Sequence, residues 1–245
     1  MRHIRNAVRR AFEKGGYDIR RRRPPTWGED AFHDQVQLLA VAPVHTILDV
    51  GAHVGDTAQA YRARFPGAAI HALEPFPQSY HQLTKRFADD ARVSAHRLAV
   101  ADRPGRQRLY VNAIEVTNSL LPLIPSSAAI ARASSEHLDE TIDVDVVTLD
   151  AFCESHQVRE VDLLKMDIQG AELLALRGGA GLLQRRAVRL VYLEVSFQSL
   201  YRGQAFFTDI HSYLTSSGYV LFGLYNLMYS EHGLGWCDAI FVPTS

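Results

Sequence analysis

Four short apolar stretches of the chain each end in an acidic side chain: Asp49, Glu74, Asp167 and Glu194. In an open sheet of parallel strands, the carboxyl ends of the strands gather at one edge, and ligands bind there. Carboxylates at that edge can act as a general base, accept hydrogen bonds from a ligand or hold a divalent cation. These four residues are therefore the first candidates for a functional site.

A glycine-containing turn begins at the first acid, with the sequence D-V-G-A-H-V-G-D-T over residues 49–57. Gly51 and Gly55 allow the backbone to bend tightly and to approach a ligand where a side chain would block it. The helix predicted to begin near Asp56 and Thr57 offers free backbone N–H groups to a polar ligand. The turn therefore predicts a nucleotide-type binding site.

The spacing within this turn separates the candidate cofactors. A dinucleotide turn follows G-x-G-x-x-G, whereas His53 stands at the middle position and no third glycine follows. The chain also has no G-K-[ST] to hold a triphosphate. Asp49 would repel a pyrophosphate but can accept a hydrogen bond from the ammonium of an amino-acid moiety. The pattern disfavours a kinase and keeps a dinucleotide- or nucleotide-sugar-binding oxidoreductase only as the alternative.

The second acid predicts how the rest of a nucleoside would be bound. Glu74 ends the second apolar stretch, where a carboxylate can bind both ribose hydroxyls. Pro75 and Phe76 follow it directly, and Val100 and Asp102 lie at the end of the third stretch. We expect these residues to flank an adenine ring.

β-rich runs alternate with helical patterns along the chain, which indicates an α/β fold. The predicted strands are 46–50, 69–73, 94–100, 161–166, 189–195, 219–225 and 237–242. The predicted helices are 30–41, 56–64, 78–88, 171–176 and 207–217. The last two strands have no predicted helix between them, so they can pair antiparallel. We predict a seven-stranded, mostly parallel sheet with an antiparallel edge strand and helices on both faces.

Length and composition restrict the remaining choices. The 245 residues predict one main domain, 45–245, with an insertion around 106–149 and a basic, helical extension over 1–44. A net charge of −1 and two unpaired cysteines argue against nucleic acid as a partner and against a zinc module, and they favour a cytoplasmic protein. The sequence shows no transmembrane segment, although a basic amphipathic helix at 2–14 would allow weak association with an acidic surface.

Several blocks, taken in order, resemble the FkbM-type methyltransferases. They are the turn at 49–57, Glu74-Pro75, 99–102, Asn118-Ser119-Leu120, 147–150, K-M-D-I-Q-G-A-E within 164–172, and 176–178. The resemblance covers about residues 45–243. It implies a Rossmann-like class I methyltransferase fold, S-adenosylmethionine as methyl donor and O-methylation of sugars or secondary metabolites. It also implies cofactor contacts for Asp49, Gly51, Gly55 and Glu74.

The remaining two acids belong to the reacting end. Asp167 and Glu194 should face the substrate, where one acts as general base or both hold a divalent metal such as Mg²⁺. The other interpretation of Asp167 is a helix cap. Lys165 lies on the same side of its strand as Asp167 and needs a partner, either one of these acids or solvent. Further candidates to line an acceptor pocket are Tyr201, Tyr225, His211 and His232.

The residues that close the fourth predicted strand indicate the class of acceptor. Methyltransferases that act on nucleic-acid bases usually close this strand with prolines and an aromatic residue that stacks on the flipped base. Here the strand closes with D-I-Q-G over residues 167–170. We therefore predict a small-molecule hydroxyl acceptor, such as a sugar, a polyketide or a peptide-derived metabolite. A catalytically inactive module that only binds the cofactor remains a second alternative.

Overall fold

The computed structural model describes residues 25–124 and 140–244. The predicted basic helix at 2–14 lies outside these residues. None of the helices in the described ranges is long and apolar enough to span a membrane. The division into an extension over 1–44 and a domain over 45–245 stays a prediction.

Within residues 25–124 and 140–244, ten strands form two sheets. They are β1 (Thr46–Val50), β2 (Ala69–Leu73), β3 (Val93–His96), β4 (Ala99–Val100), β5 (Gly105–Val111), β6 (Glu140–Val147), β7 (Leu163–Met166), β8 (Val191–Ser196), β9 (Tyr219–Ser230) and β10 (Gly233–Pro243). The larger sheet has seven strands in the order β3-β2-β1-β7-β8-β10-β9. Pairs from β3 to β8 are parallel, whereas β10 is antiparallel to both its neighbours. The predicted fold class is confirmed.

Seven α-helices accompany the strands in the part of the chain that the structure describes. They are α1 (Ala31–Leu39), α2 (Asp56–Arg64), α3 (Pro77–Arg86), α4 (Leu149–Ser155), α5 (Glu172–Gly178), α6 (Ala180–Gln184) and α7 (Phe207–Ser216). The main apolar cluster lies between the larger sheet and α4 to α7, and a second cluster joins the sheet to α1 and α2. Burial on both faces explains why the central strands are almost wholly apolar.

The predicted insertion forms the smaller sheet, with strands in the order β4-β6-β5. Its antiparallel β5–β6 pair and the parallel β4–β6 pair enclose a small apolar cluster that includes Phe76 and Leu109. A 3-10 turn, Glu115–Thr117, follows β5. The described parts of the insertion thus form a platform that joins the larger sheet just after β3.

Two predicted elements differ from the structure. The stretch 94–100 is two strands, because the chain turns at Arg97 and Leu98 and leaves the larger sheet for the smaller one. The predicted strands 219–225 and 237–242 are longer in the structure: β9 and β10 extend into the stretch between them and form a hairpin with bulges. Residues 226–229 are all exposed. Strand periodicity is weak there, since both faces of the hairpin meet solvent.

Candidate active site

A cavity of about 220 Å³ lies at the carboxyl ends of β1, β2 and β7, next to the insertion. Nine of the fourteen predicted site residues line it: Gly51, His53, Asp56, Thr57, Glu74, Pro75, Val100, Lys165 and Asp167. The five that do not are Asp49, Gly55, Phe76, Asp102 and Glu194. The strand ends therefore converge as the sheet topology predicts, and the exceptions have identifiable causes.

The glycine turn follows a left-handed path through Gly51, His53 and Gly55, whose φ angles are 76°, 48° and 88°. A β-carbon on Gly51 would lie 1.9 Å from the backbone oxygen of Asp167. We expected a ligand to occupy the space beside Gly51, but the end of β7 fills it. Gly55 faces the side chains of Leu83 and Phe87, so it shapes the turn from behind the cavity.

Asp49 is fully buried and forms an ion pair with Lys165, its register partner on β7, at 2.9 Å. Among the described residues, neither oxygen of this carboxylate has a hydrogen-bond partner, so the ion pair with Lys165 is its main polar contact. The predicted direct contact of Asp49 with an ammonium group is thus corrected: this carboxylate braces the glycine turn from inside. The expected partners of Lys165 are corrected as well, because it pairs with Asp49 and not with Asp167 or Glu194.

Lys165 completes this brace from the cavity wall. Its Nζ donates to the carbonyl oxygen of Gly51 at 2.8 Å. Burial lowers the pKa of Lys165, but the carboxylates of Asp49, Asp167 and Glu74 outweigh burial and hold it above the ordinary lysine value. Lys165 is therefore a permanent cation between the acids and has no lone pair with which to act as a base.

Glu74 is 93% buried, and its carboxylate is held by backbone donors. One oxygen accepts from the N–H of His53 and the other from the N–H of Phe76, both at 2.8 Å. Each carboxylate oxygen has further lone pairs that can accept from a ligand. This arrangement fixes a two-oxygen acceptor at the cavity wall, which suits two neighbouring hydroxyls.

The residues predicted to flank an adenine divide into two groups. Pro75 and Val100 line the cavity together with Leu98 and Ala99, and they give it an apolar side. Phe76 is instead 94% buried in the apolar cluster of the insertion. Asp102 does not line the cavity, and its Oδ2 lies 3.7 Å from Nε of Arg103. For Phe76 and Asp102, the predicted direct contact with adenine is corrected.

The reacting end combines three side chains after β7 and on β8. Asp167 is exposed to the cavity, and its Oδ1 accepts from the side-chain amide of Gln169 at 2.7 Å. The same nitrogen lies 3.5 Å from Oε2 of Glu194. Burial raises the pKa of Glu194 to about 9, and the charges of Asp167 and Glu172 add to the effect. Glu194 is thus protonated at neutral pH, behind the cavity wall.

The residues of the insertion that cover the cavity and form its roof were not among the predicted site residues. Asn118, Ser119 and Leu120 from the insertion line it, and Ser119 Oγ donates to the backbone oxygen of Gln169 at 2.7 Å. Among the described residues, Nδ2 of Asn118 is a buried donor without a partner. The block Asn118-Ser119-Leu120 was visible in the sequence, but its position over the turn depends on the fold of the insertion.

The four later candidates for an acceptor pocket are scattered. Tyr201 is buried behind the roof, where its hydroxyl lies 2.9 Å from Oε1 of Gln169. Tyr225 is buried and donates to Asp34 of α1. His211 packs near Phe241, and His232 lies at the exposed turn of the β9–β10 hairpin. None of the four lines the cavity.

The fold and the cavity define a class I S-adenosylmethionine-dependent methyltransferase. The family model for the methyltransferase FkbM domain matches residues 49–221, and the chain belongs to this family. The chain is 29% identical over 176 residues to 2-O-methyltransferase NoeI of Sinorhizobium fredii, covering 70% of this chain and 72% of NoeI. It is 28% identical over 147 residues to Methyltransferase 1 of Beauveria bassiana, covering 54% and 57% of the two chains.

A solved structure, the METTL16 methyltransferase domain, shares the fold with a TM-score of 0.50 at 11% identity. The likeness covers 95% of this chain and 76% of that one. At this identity it is evidence for the fold alone. Among the described residues, no group of three or more His, Cys, Asp or Glu side chains is arranged to hold a metal ion.

Proposed function

We propose that this protein transfers a methyl group from S-adenosylmethionine to a hydroxyl group of a small molecule, with Asp167 as the general base. The observation that carries the proposal is a carboxylate at the end of β7, exposed on the wall of a cavity whose other residues suit a nucleoside. The name of NoeI, a 2-O-methyltransferase, supports oxygen as the acceptor atom.

The residues of the cavity fit the cofactor. Glu74 offers both carboxylate oxygens to the two ribose hydroxyls, and Pro75 and Val100 offer apolar surface to the adenine. Asp49 and Lys165 hold the glycine turn in place from behind. S-adenosylmethionine supplies the electrophilic methyl group on its sulfonium. The chain itself must align the acceptor oxygen and remove its proton.

Asp167 suits proton removal better than its neighbours. A hydroxyl has a high pKa, so a positioned base accelerates its attack, typically by about 10² to 10⁴-fold. Lys165 is protonated, and Glu194 holds its proton up to a pH of about 9. Asp167 can therefore accept the proton, while Glu194 behind the wall adds no second negative charge. The acceptors that we propose are sugars, polyketides or peptide-derived metabolites.

A panel of acceptors tests this proposal. The protein is incubated with S-adenosylmethionine and, separately, free monosaccharides, methyl glycosides and hydroxylated polyketides. Mass spectrometry should detect an acceptor that has gained one methyl group on oxygen, together with an equal amount of S-adenosylhomocysteine. Methylation on nitrogen or carbon would contradict the proposal. Binding of S-adenosylmethionine without any turnover would favour an inactive binding module.

A further inference from the structure

Gln169 makes more polar contacts at the reacting end than Asp167 does. Its Nε2 is 2.7 Å from Oδ1 of Asp167 and 3.5 Å from Oε2 of Glu194. Its Oε1 accepts from the hydroxyl of Tyr201 at 2.9 Å, and its backbone oxygen accepts from Ser119. One residue thus joins β7, β8, the insertion and the segment after β8.

The side-chain amide of Gln169 offers different groups to its neighbours. A side-chain amide has one acceptor oxygen and one nitrogen that only donates. The Tyr201 hydroxyl lies 2.9 Å from the oxygen of Gln169 and 3.0 Å from the backbone oxygen of Thr117. The nitrogen of Gln169 faces the two carboxyl groups, so in this orientation Gln169 donates to Asp167 and Glu194.

The backbone of Gln169 is held in an unusual conformation to make these contacts. Its φ is 56°, in the left-handed region that non-glycine residues seldom adopt. Gly170 follows with φ of 94°. Such conformations persist where the surrounding structure enforces them, often at functional sites. Here Ser119 holds the backbone oxygen and Tyr201 holds the side chain.

We propose that Gln169 is the positioning residue of the reacting end: its side-chain amide donates to Oδ1 of Asp167 at 2.7 Å, orients this carboxylate at the cavity wall and bridges it to Glu194. This inference rests on the proposed role of Asp167 as general base. The titratable and charged groups that interact with Asp167 come from β1, β7, α5, β8, β10 and the segment after β8: Asp49, Lys165, Glu172, Tyr192, Glu194, Tyr201 and Asp238. Gln169 differs from these groups because its amide donates a hydrogen bond directly to Oδ1 of Asp167.

Substitution of Gln169 by Glu and by Met separates this role from a structural one. Gln169→Glu keeps the shape but places a third carboxylate beside the pair, and Gln169→Met removes both donors without adding charge. Both changes should cause the Asp167–Glu194 pair to take up protons at higher pH, with a shift of about one pH unit or more for Gln169→Glu. The control is Gln198→Glu, since Gln198 bonds to Ser230 and Leu234 and not to the acids.

The pair is titrated by carboxyl ¹³C NMR in the full chain saturated with S-adenosylhomocysteine, and its signals are assigned by their loss in Asp167→Asn and Glu194→Gln. We expect a larger shift for Gln169→Glu than for Gln169→Met, and almost none for Gln198→Glu. An unchanged titration in folded Gln169→Glu or Gln169→Met protein would overturn the proposal. This measurement needs no acceptor, so it stands even if Asp167→Asn keeps full turnover and the base assignment fails.

With an acceptor from the panel, the same variants give a kinetic test. The acidic limb of the kcat/KM profile should move to higher pH in Gln169→Glu, while the dissociation constant for S-adenosylmethionine stays within a few-fold. The loss of activity should therefore shrink as the pH rises. A uniform loss at every pH, with the limb in place, would show that Gln169 only supports the fold.

Discussion

Two pairs of ionisable side chains lie at the ends of neighbouring strands and have opposite surroundings. The Asp49–Lys165 pair is buried and joins an anion to a cation at 2.9 Å. The Asp167–Glu194 pair has two acids, joined only through the amide of Gln169, and Asp167 is exposed to the cavity. A carboxylate with a buried counter-cation is committed to structure, whereas one without such a cation and facing a cavity is available for chemistry.

The largest expected effect comes from breaking the first pair. Lys165→Met would leave Asp49 buried without its cation, which typically costs about 3–5 kcal/mol. We expect a loss of this size in the free energy of unfolding, measured by urea denaturation. Lys85→Met on the exposed face of α3 is the control and should change stability by less than about 0.5 kcal/mol. A loss of less than about 1 kcal/mol in the free energy of unfolding of Lys165→Met would contradict a structural role for this pair.

Glu74 sharpens the comparison, because it is a buried carboxylate held by backbone N–H groups. Glu74→Ala should weaken S-adenosylmethionine binding by about 1.5–3 kcal/mol, the usual cost of a lost charged hydrogen bond. Calorimetric titration gives the affinity. The control is Glu154→Ala, a substitution on the exposed face of α4. Some loss of stability will accompany the change, since two backbone donors lose their acceptor. Wild-type affinity in the variant would refute the ribose assignment.

Glu194 should give a smaller effect that depends on pH. The folded protein holds the proton of Glu194 up to a pH of about 9, against an ordinary value of 4.5. The unfolded chain therefore binds fewer protons across this window, and the free energy of unfolding falls as the pH rises through it. Glu194→Gln cannot ionise. It should be more stable than wild type by about 1 kcal/mol or more near pH 8, or about 2–4 °C in Tm.

This gain should vanish well below pH 4.5, where Glu194 is protonated in both the folded and the unfolded protein. Thermal unfolding, followed by circular dichroism at several pH values between about 3 and 8, measures the stability difference between the variant and wild type. Identical stability curves for the variant and wild type would mean that Glu194 ionises normally, and the second pair would then carry two negative charges.

The sequence predicted the larger sheet because its strands are short, apolar and closed by acids. Strands β1 and β2 match their predicted ranges. The smaller sheet was not predicted as a sheet, since the sequence indicated only an insertion around 106–149. The parallel pairing of β4 with β6 joins residues far apart in the chain, and no local pattern encodes such pairing. The helices α4 and α6 were missed because segments of seven and five residues carry little periodicity.

The site was predictable at the level of strand ends and less so at the level of contacts. Asp49 and Lys165 were both noticed, but their pairing depends on the register of β1 against β7. Gln169 belonged to the most distinctive block of the sequence and still carried no predicted role, since its importance comes from Ser119 and Tyr201. Contacts between residues that only the tertiary structure brings together could not be predicted from one sequence.

The turnover of Asp167→Asn tests the central claim most directly. Under saturating S-adenosylmethionine and acceptor, kcat should fall by about 10² to 10⁴-fold, the usual contribution of a general base. Cofactor affinity should stay within a few-fold, because Glu74 and the glycine turn are unchanged. Wild-type turnover should also be indifferent to EDTA if Asp167 acts without a metal. Full turnover of Asp167→Asn, with or without the chelator, would contradict the account and leave Asp167 without a role in the reaction.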